Sequence, residues 1–325
     1  MKPRTVWSGI AALLDTTAFS GGVATCLFLA VSAPAFAGRV PFLPETAPTN
    51  DTPVAVRVIG NNMPIVRGEV DGKPCTLLFD TGATHTTLDK GFVERELKDR
   101  KLEKVVLAGV TNVEGLPSLL HADSFKVGAA EFADFDLMAL DLSHLGKSVG
   151  ARVDGIIGMN VIGRTMTLVS LGSGEVVFAP VRTRLAGFEK PVDRVRQAAF
   201  GGRPDPFSID IDAEYNGRRL PLFVDSASSI TVVEQASAWP AGDKEVEIDA
   251  ADVNSSGNGV KSRRGEPGDI MAGVPLHLEP EVVPDGVLYR DGRGRIGADT
   301  LLRYDMLVGA SRVAFRPCAK KGDAK

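Results

Sequence analysis

The chain has 325 residues, with 41 acidic against 37 basic side chains and a formal net charge of −4. That length allows one large or two modest domains, and the apolar fraction is enough for a core. The two signs of charge are interspersed with no basic block, which argues against nucleic acid as a partner, and 35 Gly and 20 Pro with few aromatics favour many short strands over long helices.

Residues 1–37 read as a signal peptide. Lys2 and Arg4 give a positive start, Val23–Ala33 is an apolar run of h-region length, and Ala35-Phe36-Ala37 fits a cleavage site with Gly38 as the mature start. The run is shorter than the roughly 20 residues that a membrane span takes. A cleaved leader implies a periplasmic or secreted protein with no stable membrane insertion; the other readings are an uncleaved anchor or a buried helix. Two cysteines then remain, Cys75 and Cys318. In an oxidising compartment they could pair, or each could be a small hydrophobe in a strand.

Residues 38–53 form a Pro-rich leader without apolar period. From Val54 the text changes to short apolar runs cut by turns. Val54–Ile59 reads as a strand, and Ile65–Val70 and Cys75–Phe79 flank Asp71-Gly72, a strong hairpin signal. Thr86–Leu88 continues as strand. Lys90–Leu97 is the first helical stretch, with Phe92, Val93 and Leu97 on one side. Leu119–Val127 and Phe132–Leu140 read as strands. Asp154-Gly155-Ile156-Ile157-Gly158 follows, then a short helix through Val161-Ile162, then strands at Met166–Val169 and Glu175–Phe178. The charged stretch 181–205 reads as a linker between an N-terminal lobe (54–180) and a C-terminal lobe (206–325).

The programme then repeats. Phe207–Ile211 and Leu220–Val224 flank an Asn216-Gly217 hairpin turn, Ile230–Val233 reads as strand, and Glu234–Ala238 as short helix. Arg295-Ile296-Gly297 precedes a short helix at Asp299–Leu302, and Met306–Val308 and Arg312–Phe315 close the chain. The match between halves is weak in letters and firm in order. Leu77-Leu78-Phe79-Asp80-Thr81-Gly82-Ala83 and Leu222-Phe223-Val224-Asp225-Ser226-Ala227-Ser228 share one grammar: apolar run, Asp, hydroxyl, small residue.

An Asp at the end of a buried strand is expensive unless hydrogen bonds or a partner compensate. The small residues after it let backbone approach the carboxylate, and hydroxyls at Thr81 and Ser226 can tie the two turns to each other or to adjacent backbone. One Asp-Thr-Gly alone is commonly a surface turn; two in register with a duplicated scaffold point to chemistry. Two carboxylates about 3 Å apart repel by roughly 5–6 kcal/mol at an effective dielectric near 20. That is on the order of four pKa units. Such a pair shares one proton. One member draws a proton from a bound water while the other donates to a substrate carbonyl, so no cofactor or metal is required.

LLFDTGATHTTLD (77–89) resembles the active-site strand and turn of aspartic peptidases, and Ile156-Ile157-Gly158 resembles their second signature. The first lobe is closest to the bacterial retropepsin-like form, and the duplicated chain to the pepsin-like arrangement. The resemblance implies a mainly β protein with a few short helices, two lobes and a cleft between them. It implies endopeptidase activity on a peptide or protein substrate by a monomer. Asp80 and Asp225 take the catalytic positions, and Thr81, Gly82, Ala83, Ser226, Ala227 and Ser228 the turn positions around them. Ala227 replaces the usual Gly, which strains the turn if that position needs φ > 0 and costs little if it does not. Ser228 can donate to its carboxylate where Ala83 cannot, which predicts that Asp225 is the more readily ionised member. The family's hairpin flap maps to about Val106–Leu119, with Gly109 and Gly115 as hinges; it contains no Tyr, which fits the retropepsin-like form. Ser255–Gly259 is the equivalent tip in the second lobe.

Other signals are weaker. Gly292–Gly297 matches G-x-G-x-x-G, but too little chain follows for a βαβ unit. Gly297 is better explained as the partner of Gly158. The four histidines are spread without zinc spacing, with His85 close after Asp80. Gly172-Ser173-Gly174 reads as a hairpin turn rather than a nucleophile elbow. Two alternatives to an active peptidase stay open: a catalytically weak or inactive module binding peptides or proteins in the same cleft, and an enzyme active only after part of residues 38–53 is removed.

Overall fold

The computed structural model describes residues 43–60, 62–104, 118–184, 187–188, 195–200, 203–215, 218–235, 239–248, 259–288, 293–309 and 311–318. The stretch read as a signal peptide, the stretch read as a flap with Gly109 and Gly115, the expected Asn216-Gly217 turn, most of the expected Ser255–Gly259 tip and positions 236–238 therefore lie wholly or largely outside the described residues.

Two eight-stranded sheets share one strand order. In the first lobe it runs Arg57–Ile59, Met63–Val70, Lys73–Phe79, Gly155–Ile157, Thr87–Asp89, Ala130–Leu140, Ser118–Val127, Glu103–Lys104. In the second it runs Val195–Phe200, Arg203–Tyr215, Arg218–Val224, Gly294–Ile296, Val232–Glu234, Glu281–Val283, Val260–Gly265, Ala241–Ile248. Each Asp-bearing strand is the second arm of a hairpin. The Asp71-Gly72 turn has φ of 48° and 79°, the doubly positive geometry that matches strand twist in a tight hairpin.

A five-stranded sheet joins the lobes. The closing hairpin of the first lobe (Met166–Ser170, Glu175–Ala179) pairs with that of the second (Tyr304–Val308, Val313–Pro317) through Thr167–Val169 against Met306–Val308. Thr52–Ala55 forms its far edge against Glu175–Ala179. This divides the single strand expected over Val54–Ile59: Arg57–Ile59 pairs instead with Met63–Val70, and the Val56 N–H between them donates to the Gly174 carbonyl. One segment serves two sheets by changing partners at Val56.

Within the stretch read as linker, Val195–Phe200 is a strand antiparallel to Arg203–Tyr215, with Phe200 paired to Arg203. The Gly201-Gly202 interval reads as linker punctuation, yet it separates two arms of one ladder. The helix Lys90–Glu96 is capped by Asp89, whose carboxylate accepts from the Phe92 N–H, and it buries Phe92 and Val93. A helix at Ser143–Val149 carries no strong apolar period and was not anticipated.

The strand period of two sorts each site strand between two environments. Leu77 and Phe79 enter the main core beside Leu88, Phe92 and an aromatic group in which Phe125 meets Phe135 at 6.0 Å and Phe132 meets Phe178 at 5.3 Å. Leu78 faces the other way, into a small apolar cluster with Met63, Ile65 and Ile156.

Candidate active site

Asp80 and Asp225 each sit one residue beyond a buried strand. The Asp80 N–H donates to the Ile157 carbonyl (3.1 Å) and the Asp225 N–H to the Ile296 carbonyl (3.0 Å). Each carboxylate then collects two backbone N–H groups on its own turn. Oδ1 of Asp80 accepts from Gly82 (2.7 Å) and Ala83 (3.1 Å); Oδ1 of Asp225 accepts from Ala227 (3.0 Å) and Ser228 (3.1 Å). The turns are near-copies, and they face each other.

Four crossing hydrogen bonds lock them. The Thr81 hydroxyl donates to the Val224 carbonyl (2.9 Å) and accepts from the Ser226 N–H (3.0 Å). The Ser226 hydroxyl donates to the Phe79 carbonyl (2.7 Å) and accepts from the Thr81 N–H (3.0 Å). Both side chains are fully buried. Hydroxyls at these positions are needed because each must donate and accept at once, across the boundary between lobes.

The contact is close enough to explain Gly82. A Cβ there would lie 2.6 Å from Asp225 Cγ and 2.8 Å from both carboxylate oxygens. The mirror position carries Ala227 without left-handed backbone, since the positive-φ non-glycine residues described are Asn62, Asp71 and Asp134. Ala227 is half-buried against the apolar cluster that also holds Ala83. The departure from Gly is therefore not a source of strain. Ser228 works differently from expectation: its hydroxyl donates to the Ile230 carbonyl (2.8 Å), and its backbone N–H serves Asp225.

A second ring of duplicated contacts holds the turns, and the motif reading missed it. The Thr86 hydroxyl accepts from Gly158 N–H and donates to Asn160 Oδ1 (3.2 and 2.9 Å). The Thr231 hydroxyl accepts from Gly297 N–H and donates to Asp299 Oδ1 (3.1 and 2.7 Å). Thr86 and Thr231 stand six residues after their aspartates, so aligning the two copies would have found them. Gly158 and Gly297 are partners for a shared reason: a Cβ would strike the His85 backbone at 2.5 Å in one copy and the Ile230 carbonyl at 2.2 Å in the other.

The two carboxyls influence each other directly. Asp80 is pushed well above the ordinary aspartate value, first by removal from water and then by the Asp225 charge and hydrogen bonding; the Gly82 and Ala83 N–H groups pull the other way. A carboxyl held protonated beside a second carboxylate can donate a proton while its neighbour accepts one.

Residues 66–161, most of the first lobe, match a family model described as aspartyl protease. The first lobe is aspartic-peptidase-like. Among solved structures, the chain resembles basic 7S globulin from soybean, with a TM-score of 0.51 and 11% identity over 86% of this chain and 98% of that one. At that identity the likeness speaks for the fold, and it extends the two-lobed arrangement beyond the region the family model matches. No curated protein matches the chain in sequence. The match over the first lobe supports the protease kind of hydrolase.

The disulfide alternative is not realised. Cys75 is a buried free thiol of the first lobe, and Cys318 a half-buried free thiol near the chain end, 3.4 Å from Asp305. Burial and neighbouring carboxylates push both thiols up to about 12.

Proposed function

We propose that the chain is an exported aspartic endopeptidase that hydrolyses peptide bonds with a water activated between Asp80 and Asp225. The observation that carries this reading is the paired turn: two Asp-hydroxyl-small loops, each backed by two backbone N–H groups and tied to the other by the Thr81 and Ser226 hydroxyls. Asp225 takes a proton from the water, whose oxygen attacks the scissile carbonyl carbon. Asp80 gives its proton to the carbonyl oxygen, forming a gem-diol. Collapse of the diol breaks the C–N bond as the proton on Asp225 passes to the leaving nitrogen and the second diol proton returns to Asp80. The cycle closes with the same single proton on the pair, and one polypeptide supplies both carboxyls, so a monomer suffices.

The substrate is a peptide or unfolded protein segment in the periplasm or outside the cell, as the leader at 1–37 suggests. The second reading is a non-catalytic peptide-binding module; Ala227 in place of the usual Gly would favour it if the turn were strained there, and the backbone at that residue is not left-handed. Mass-spectrometric profiling of a peptide mixture incubated with protein lacking residues 1–37 tests the proposal. Cleavage that disappears in both Asp80→Asn and Asp225→Asn is the expected outcome; intact peptides at every pH between 3 and 8, with binding retained, would replace the peptidase by the binding module.

A further inference from the structure

The two lobes differ in charge along the ladder beside the carboxylates. Leu78 is paired with Ile156 in the first lobe, and Phe223 with Arg295 in the second, at matching steps of the same parallel ladder. Likewise Ile65 is opposite Leu78, and Asp210 opposite Phe223. The first lobe fills these positions with Ile65, Leu78 and Ile156, a buried apolar patch. The second puts Asp210, Phe223 and Arg295 there.

Arg295 is 1% exposed. Its Nη1 lies 3.8 Å from Asp225 Oδ2, and its guanidinium lies over the Phe223 ring, 5.2 Å from the centroid. Asp210 is engaged by Arg293, which also lies over Phe223. Oδ1 of Asp225 is already taken by two backbone N–H groups, so its two oxygens have separate partners: peptide dipoles on one, a cation near the other. The backbone dipoles recur at Asp80, but Ile156 stands where the cation would be. A buried guanidinium is a costly thing to place in an apolar ladder, and the duplicated fold demonstrates that the ladder closes without one.

We propose that Arg295 is a positioning residue that assigns the shared proton: its cation holds Asp225 as the carboxylate and leaves the proton on Asp80, so base and acid are distinguished before substrate arrives. The catalytic half of this inference rests on the peptidase reading; the proton assignment does not. Among the described residues, the charged groups placed at the pair are Asp80 from the first turn and Arg295 from the second lobe, and the Asp210–Arg293 ion pair shares the Phe223 ring with Arg295.

The test is a carboxyl 13C NMR titration of aspartate-labelled protein lacking residues 1–37, with signals assigned through Asp80→Asn and Asp225→Asn. In the unmutated protein Asp225 should titrate first and Asp80 at higher pH. In Arg295→Met the Asp225 midpoint should rise by about 1–3 pH units, the range an opposite charge at this distance exerts. Arg295→Lys should keep most of the order. Both limbs of any pH–rate profile should move upward in Arg295→Met and stay in place in Arg295→Lys, which a purely structural role would not produce. An Asp80 midpoint below that of Asp225 in the unmutated protein overturns the assignment even if no Arg295 variant folds, as does an unmoved Asp225 midpoint in folded Arg295→Met. If the midpoints behave as proposed and no peptide is cleaved, the peptidase reading fails and the proton assignment stands.

Discussion

Thr81→Val removes a hydroxyl while keeping the shape of the side chain. In the structure that hydroxyl serves two buried backbone groups of the other lobe, the Val224 carbonyl and the Ser226 N–H, at 2.9 and 3.0 Å. Water cannot replace it, since both Thr81 and Ser226 are fully buried. Each stranded group costs about 1–3 kcal/mol, so the substitution should destabilise by about 2–6 kcal/mol. That is a large share of the roughly 5–15 kcal/mol that holds a typical domain together. Urea unfolding reads the effect as a lower midpoint. Thr81→Ser, which keeps the donor and acceptor, should fall much closer to the parent. Ser226→Ala should behave like Thr81→Val, and the double variant should cost less than the two single losses added, because both hydroxyls secure the same pair of turns. A Thr81→Val protein within about 0.5 kcal/mol of the parent, the ordinary range of surface substitutions, would refute the idea that these bonds hold the two turns together.

Gly82→Ala places a Cβ 2.6 Å from Asp225 Cγ, so turnover should fall about 100-fold, the penalty of an ångström-scale misplacement. Ala227→Gly should leave turnover near the parent value, and a fully active Gly82→Ala would mean that the turns stand farther apart than described. Because burial and Asp225 raise Asp80, its contribution favours the fold below the unfolded aspartate pKa of about 3.9 and is lost as pH rises through the folded value. Asp80→Asn, neutral throughout, should therefore match the parent in stability in acid and gain on it as pH rises; equal stability of the two proteins across the whole range would contradict the raised value. With both thiols free and pushed up to about 12, a reductant should leave the melting temperature unchanged and alkylation at pH 8 should be slow; a melting point that drops on reduction would point to a bridge. Leu43 is buried and the Glu45 N–H donates to the Ala133 carbonyl on the first lobe, so deleting residues 38–50 should destabilise by about 1.5–3 kcal/mol for the leucine alone. Faster peptide cleavage at unchanged stability would instead favour the leader as an activation peptide.

Much of the site was legible as text. The apolar runs before Asp80 and Asp225 specify buried strands, and an acidic residue at each strand end stands out against them. The order of elements after each Asp exposed the duplication, and with it the partnership of Gly158 and Gly297. Three features were hidden for physical reasons. Val195–Phe200 resembles a linker because the next strand follows a Gly-Gly interval and carries prolines. Thr86 and Thr231 look like ordinary strand residues, since a hydroxyl that binds a distant backbone leaves no local pattern. Arg295 was read through the glycines around it, and nothing in one strand reveals that a residue on the neighbouring strand runs into a carboxylate.

Local chemistry, written in the order of residues, determined which segments are strands, where the tight turns fall and which side chains are too polar to be buried without a purpose. Those are properties of short stretches, governed by periodicity and by the needs of single backbone groups. The meeting of the two lobes was decided by the assembled fold: the crossing of Thr81 and Ser226, the space that only Gly82 leaves for Asp225, and the cation at one carboxylate but not the other. Such contacts join residues far apart in the chain, and their energies depend on distances of a few ångströms that no local pattern encodes.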